Sequence, residues 1–244
     1  MYPSVYDFKS FYNSRAGRVV RRVVGQRVRS FWPDLHGLRL MGGGYAVPYL
    51  RMFMEEADRV FAVMPAGQGA HHWPQTLEEH NRVCLAEETE LPFETSSIDR
   101  VMLVHDLEFS EMLRPKLHEI WRVLKPNGRV LVIVPNRMGL WARAEWSPFG
   151  LGSPYSMAQI CQYLQDNLFT EERTEEALFM PPVCSSVILK SAGMYERWGA
   201  RFLPVVAGLH MVEASKQLYA GVKTDGGSKV QVRGRGIFIP RPAV

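Results

Sequence analysis

The 244-residue chain contains only three cysteines, Cys84, Cys161 and Cys184, and no two of them stand in a CxxC pair. An odd, scattered set argues against a disulfide framework and against a cysteine-rich zinc site, and it fits reduced thiols in the cytoplasm. No apolar run approaches the roughly 20 residues that cross a bilayer, so no membrane span is expected. The opening "MYPSVYDFKSFYNS" lacks a basic stretch followed by an apolar block, so no secretory leader is expected. Neither GxSxG nor a GKS/T loop occurs, which leaves hydrolase and NTPase readings without support. His71, His72 and His80 stand close in sequence without an acid or cysteine at ligand spacing. They read as a polar loop, and no metal is expected.

What the chain does have is a core-forming composition and an uneven charge. Hydrophobic residues make up 46% and charged residues 22%, enough apolar surface for a soluble globular core. The net charge is only +4, yet Arg15, Arg18, Arg21, Arg22, Arg27 and Arg29 crowd one segment. There Val20, Val24, Val28 and Phe31 recur at spacings of three and four, which predicts an amphipathic helix over 15–32 with Ser14 as its N-cap. A lid helix with its arginines in water is the preferred reading, over RNA or membrane contact. Apolar runs at 38–41, 59–64, 82–85, 100–104 and 129–134 predict strands, with helices at 46–57 and 111–124 between them. This alternation points to a mainly parallel sheet covered by helices. A long Gly-, Pro- and Trp-rich stretch at 136–156 follows, whose Trp141, Trp146, Phe149 and Tyr155 read equally as a substrate wall or as lid packing. Ser156 and Gln159 have capping-box spacing, and a later helix (185–198) and strand (209–218) complete the pattern. Three parts are expected: an extension over 1–32, a main domain over 33–222 and a basic Gly-rich tail over 223–244.

The stretch "LRLMGGGYAVPYL" places Gly42, Gly43 and Gly44 between a strand and a helix, where missing side chains permit close backbone approach to a nucleotide. Alone this is a weak signal. Downstream, in order, stand "AEETELPF", Asp99 at the opening of a strand, and "LKPNGR" before the strongest strand. Over about residues 35–200 the chain resembles the class I S-adenosylmethionine (SAM)-dependent methyltransferases of the small-molecule type. The resemblance implies an α/β Rossmann-like fold, a mostly parallel central sheet with helices on both faces, and SAM as cofactor. It also implies that Gly42, Gly43 and Gly44 lie against the carboxypropyl part of SAM. Glu87, with Glu88 alongside, would lie near the adenine, and His105 would line the methionine end. Asp99 reads as structural.

Two departures stand out. The family's acid two residues before the first glycine is Leu40 here, and its ribose-binding acid after the second strand is Met64. Methionine cannot pair with a diol, so Gln68, a backbone group or water would have to take that place. The expected function is methyl transfer to a small-molecule acceptor in the cytoplasm, with nucleic acid not the expected partner. The alternative is a methyltransferase-like binding or regulatory protein of little activity. Methyl transfer needs chiefly alignment and desolvation, so no side chain is assigned as catalytic, although Glu108 and His105 are candidate acid–base groups.

Overall fold

The run "RVLVIV" is apolar on both faces because it forms the buried middle of β5 (Leu124–Pro135), an interior strand of a seven-stranded sheet. The computed structural model describes residues 3–74, 80–183, 185–202 and 207–217. The other strands are β1 (Arg39–Gly44), β2 (Arg59–Pro65), β3 (Val83–Ala86), β4 (Ile98–Val104), β6 (Phe169–Ala177) and β7 (Leu209–Lys216). Their order is β3-β2-β1-β4-β5-β7-β6, with β1 to β5 parallel and β7 antiparallel to both of its neighbours. The expected mostly parallel sheet is therefore present. Asp99 takes a structural part in it: its carboxylate accepts from the Arg39 amide (3.0 Å) and from Lys125 (2.8 Å), tying β4 to β1 and β5.

Each face of the sheet carries its own core. On one, α1 (Val5–Asn13), α2 (Arg15–Phe31) and α3 (Val47–Leu50) pack against Leu40, Met64, Met102 and Ile133. On the other, α4 (Leu113–Val123) and α5 (Met157–Asp166) bring Leu117, Ile120, Ile160 and Leu164 onto Val101, Val130 and Val132. The valine stripe of α2 is fully buried at Val20, Val24 and Val28. At roughly 1.5–3 kcal/mol per buried side chain, that packing offsets the poor helix propensity of valine. Ser14 caps the helix by accepting from the Gly17 amide, and Ser156 with Gln159 forms the expected capping box. Two short helices, α6 (Ser186–Lys190) and α7 (Ala192–Phe202), fall where one was expected.

Three elements depart from the sequence pattern. The helix expected over 46–57 is shortened to α3 and one 3-10 turn, because the Asp58 amide bonds to the Leu38 carbonyl and turns the chain early into β2. α1 was not expected, although Ser4 and Asp7 form a capping box at its start. The charged run "FTEERTEEA" becomes edge strand β6, held to α2 by Arg173 over the Phe31 ring and by Arg27–Glu175. The basic tail over 223–244 lies outside the described residues, as does Cys184. No helix among the described residues is long and apolar enough to cross a membrane.

Candidate functional site

In an open, mostly parallel sheet, ligands gather outside the carboxyl ends of the strands where the strand order reverses, which here is between β1 and β4. The glycine run closes β1 at that point. Its last member, Gly44, has φ +68° and delivers the Tyr45 amide to the Val104 carbonyl (2.7 Å). The three glycines serve close packing. A Cβ on Gly42 would meet the Leu50 side chain at 2.6 Å, and one on Gly44 would stand 2.5 Å from the Val104 carbonyl oxygen. A Cβ on Gly43 would meet Leu103 at 2.8 Å and lies 3.5 Å from the Asp106 carboxylate.

Gly43 and Gly44 share one cleft with Glu87, Glu88, Asp106 and Lys116. The ends of β1 and β3, the turn after β4 and α4 thus converge there. Lys116 is buried and bridges two carboxylates, Asp106 Oδ1 at 2.8 Å and Glu88 Oε2 at 3.3 Å. Burial pushes the Asp106 carboxyl above the usual carboxylate range, and Lys116 draws it part of the way back. Sequence reasoning missed this pair, since a lysine on an amphipathic helix reads as a solvated one. The cleft measures about 20 Å³ in this conformation, against the several hundred Å³ typical of small-molecule pockets.

The remaining sequence-selected residues lie elsewhere. Met64 is fully buried in the apolar core beneath α1–α3, as is Leu40 at the other departure. Gln68, after β2, is buried with both side-chain polar atoms unpartnered, while its backbone carbonyl accepts from the Val5 amide of α1. A buried amide with neither end satisfied costs roughly 1–3 kcal/mol per group, so it is a donor and an acceptor held ready.

His105, also at positive φ (50°), is buried in a ring cluster with Phe8, Tyr12 and Phe149. Its Nε2 lies 2.9 Å from the Tyr12 hydroxyl, which in turn lies 3.1 Å from the Tyr49 hydroxyl. Its Nδ1 stands 3.3 Å from Glu108 Oε1, within ion-pair distance but without hydrogen-bond geometry. Burial, then Tyr49, holds the Tyr12 phenol well above its ordinary range, so it is neutral at physiological pH. α1 carried no sequence signal of function, yet it supplies Phe8 and Tyr12 to this cluster. Trp141 and Phe149 of the long loop are packed inside, Trp146 is half exposed, and the Tyr155 hydroxyl donates to the Leu107 carbonyl. His71 is turned to the His72 carbonyl. The described residues hold one compact group of potential metal ligands, Asp34, His36 and Glu56, at the surface.

Residues 41–132 match the family model described as a methyltransferase domain. No curated protein matches the chain. Among solved structures, a SAM-dependent methyltransferase from Mesorhizobium loti is similar at TM-score 0.58 and 14% identity, over 78% of this chain and 96% of that one. One from Archaeoglobus fulgidus gives TM-score 0.58 and 18% identity over 80% and 94%. A putative methyltransferase of Haloferax volcanii, in complex with the Trm112 activator, gives 0.57 and 14% over 88% and 99%. Residues 41–132 thus match a methyltransferase domain, and the sheet that contains them has the fold of SAM-dependent methyltransferases.

Proposed function

We propose that the protein binds SAM at the carboxyl ends of β1 to β4 and methylates a small-molecule acceptor in the cytoplasm. The observation that carries this reading is the convergence of Gly43, Gly44, Glu87 and Glu88 on one cleft at the reversal of strand order. The residues present fit the cofactor in this respect: the two glutamates supply acceptors for an exocyclic amine. When bound, SAM supplies an electrophilic methyl group on sulfur. The protein's own part is orientation and exclusion of water. Phe8, Phe149 and the other rings around His105 exclude water. His105 is fixed among those rings by its Nε2 contact with the Tyr12 hydroxyl, with Glu108 beside Nδ1. Cys84 and Cys161, both free, suit a reducing compartment.

The small cleft and the Lys116 bridge favour the alternative, a methyltransferase-like binding protein with little activity, and one experiment separates the two. Calorimetric titration with SAM and S-adenosylhomocysteine is expected to show saturable binding, with a matching thermal shift. Gln68→Leu is expected to stabilise the free protein by about 1 kcal/mol. No heat and no thermal shift at millimolar ligand would sink the SAM reading and leave the alternative.

A further inference from the structure

A groove of about 750 Å³ runs between α1, α2 and the segment after the glycine run, and its composition is one-sided. Lys9, Arg18, Arg21, Arg22 and Arg51 line it, and none of them forms an ion pair among the described residues. Arg29 also lines it but is already paired with Glu56. Among the described residues no carboxylate belongs to the wall. Such a cluster repels itself, which costs folding energy unless an anion is drawn in. The arginines stand exposed to water, as the sequence favoured, and the fold gathers several of them along one shared groove.

Further features say what kind of anion fits. The volume lies within the roughly 300–1,000 Å³ of small-molecule pockets, smaller than a nucleic-acid track needs. Tyr45 and Trp73 provide flat apolar wall beside the cations. Tyr12 lies at the wall as well, and its hydroxyl bonds to His105, so the groove abuts the buried ring cluster. His71, another lining residue, has its Nε2 buried without a partner. Guanidinium groups pair with phosphate through two parallel N–H···O bonds, which favours phosphate over a diffuse surface charge.

We propose that this groove holds the phosphate or diphosphate end of a small-molecule ligand, with Arg21, Arg22 and Arg51 on the anion and Tyr45 and Trp73 against its apolar part. That this ligand is the methyl acceptor rests on the SAM reading above; that the groove binds a phosphate-bearing molecule does not.

The test is calorimetric titration of the full-length protein with inorganic pyrophosphate, without SAM, at about 50 mM salt and repeated at higher salt. Saturable binding is expected, at least about tenfold weaker in Arg21→Gln/Arg22→Gln. A control with equal charge loss, Arg15→Gln/Arg59→Gln, removes arginines outside this wall and is expected to stay within about twofold. All four side chains are exposed, so both variants should fold, which matching thermal melts would confirm. SAM titrated into the Arg21/Arg22 variant should bind as in the wild type, which keeps failure of the cofactor reading separate. An equal loss in both double variants would overturn the proposal. So would saturable capture of single-stranded RNA, or of phosphatidylglycerol vesicles, that pyrophosphate does not displace.

Discussion

Replacing Lys116 by methionine isolates the charge bridge at the end of the sheet. In the folded protein Lys116 Nζ sits 2.8 Å from Asp106 and 3.3 Å from Glu88, and Asp106 Oδ2 has no other partner. Methionine keeps the length of the side chain and removes its charge, leaving a buried carboxylate without compensation. Breaking a buried pair from one side costs about 3–5 kcal/mol. With a urea m-value of about 2–3 kcal/mol/M, the unfolding midpoint should fall by roughly 1–2.5 M at pH 7.5. The loss must also depend on pH. Burial already raises the Asp106 carboxyl, and without Lys116 nothing nearby draws it down. A folded-state value above the unfolded one means that the folded state binds the proton more readily. Its stability then falls as pH rises from the ordinary carboxylate range through the raised value, and recovers in acid. Urea melts of wild type and Lys116→Met at pH 5 and pH 8 should therefore show a smaller difference at pH 5. Adding Asp106→Asn to Lys116→Met should recover about 1 kcal/mol or more, since the amide carries no charge to strand. An equal loss at both pH values, or no recovery in the double variant, would refute the electrostatic account and leave only packing.

Two other expectations follow from single residues. His210 of β7 is buried beside Glu176, and burial depresses its imidazole to about 4. Its neutral form therefore contributes stability that is present above the ordinary histidine range and lost as pH falls toward 4, by up to about 3 kcal/mol. His210→Gln should flatten this part of the acid-denaturation curve, and an unchanged curve would show that the ring finds water in the folded state. Gly44→Ala places a Cβ 2.5 Å from the Val104 carbonyl at a positive φ and should cost about 2–3 kcal/mol in a chemical melt. A loss below about 0.5 kcal/mol would mean that the β1–β4 junction yields easily. Bulky substitutions at Gly44 thus report on folding before they report on any ligand.

The sequence by itself determined six of the seven strands and the order of the glycine, acid and turn motifs, because both are written in local terms. The period-free apolar run of β5, the valine stripe of α2 and the caps at Ser14 and Ser156 each depend on residues within a few positions of one another. Edge strand β6 was not legible because its charged residues are stabilised by α2, some 140 residues earlier in the chain. Only the tertiary structure decided the site. Lys116 and Arg21 look alike in sequence, as cations on amphipathic helices. Packing buries the first between two carboxylates and leaves the second facing a groove without an acid in its wall. The same holds at the missing acids. Leu40 and Met64 read as two lost cofactor contacts, whereas the fold spends both on the core beneath α1–α3 and leaves Gln68, buried and unpartnered, beyond β2. A residue's chemistry is local; whether that chemistry is satisfied, stranded or offered to a ligand depends on neighbours that only long-range packing brings near.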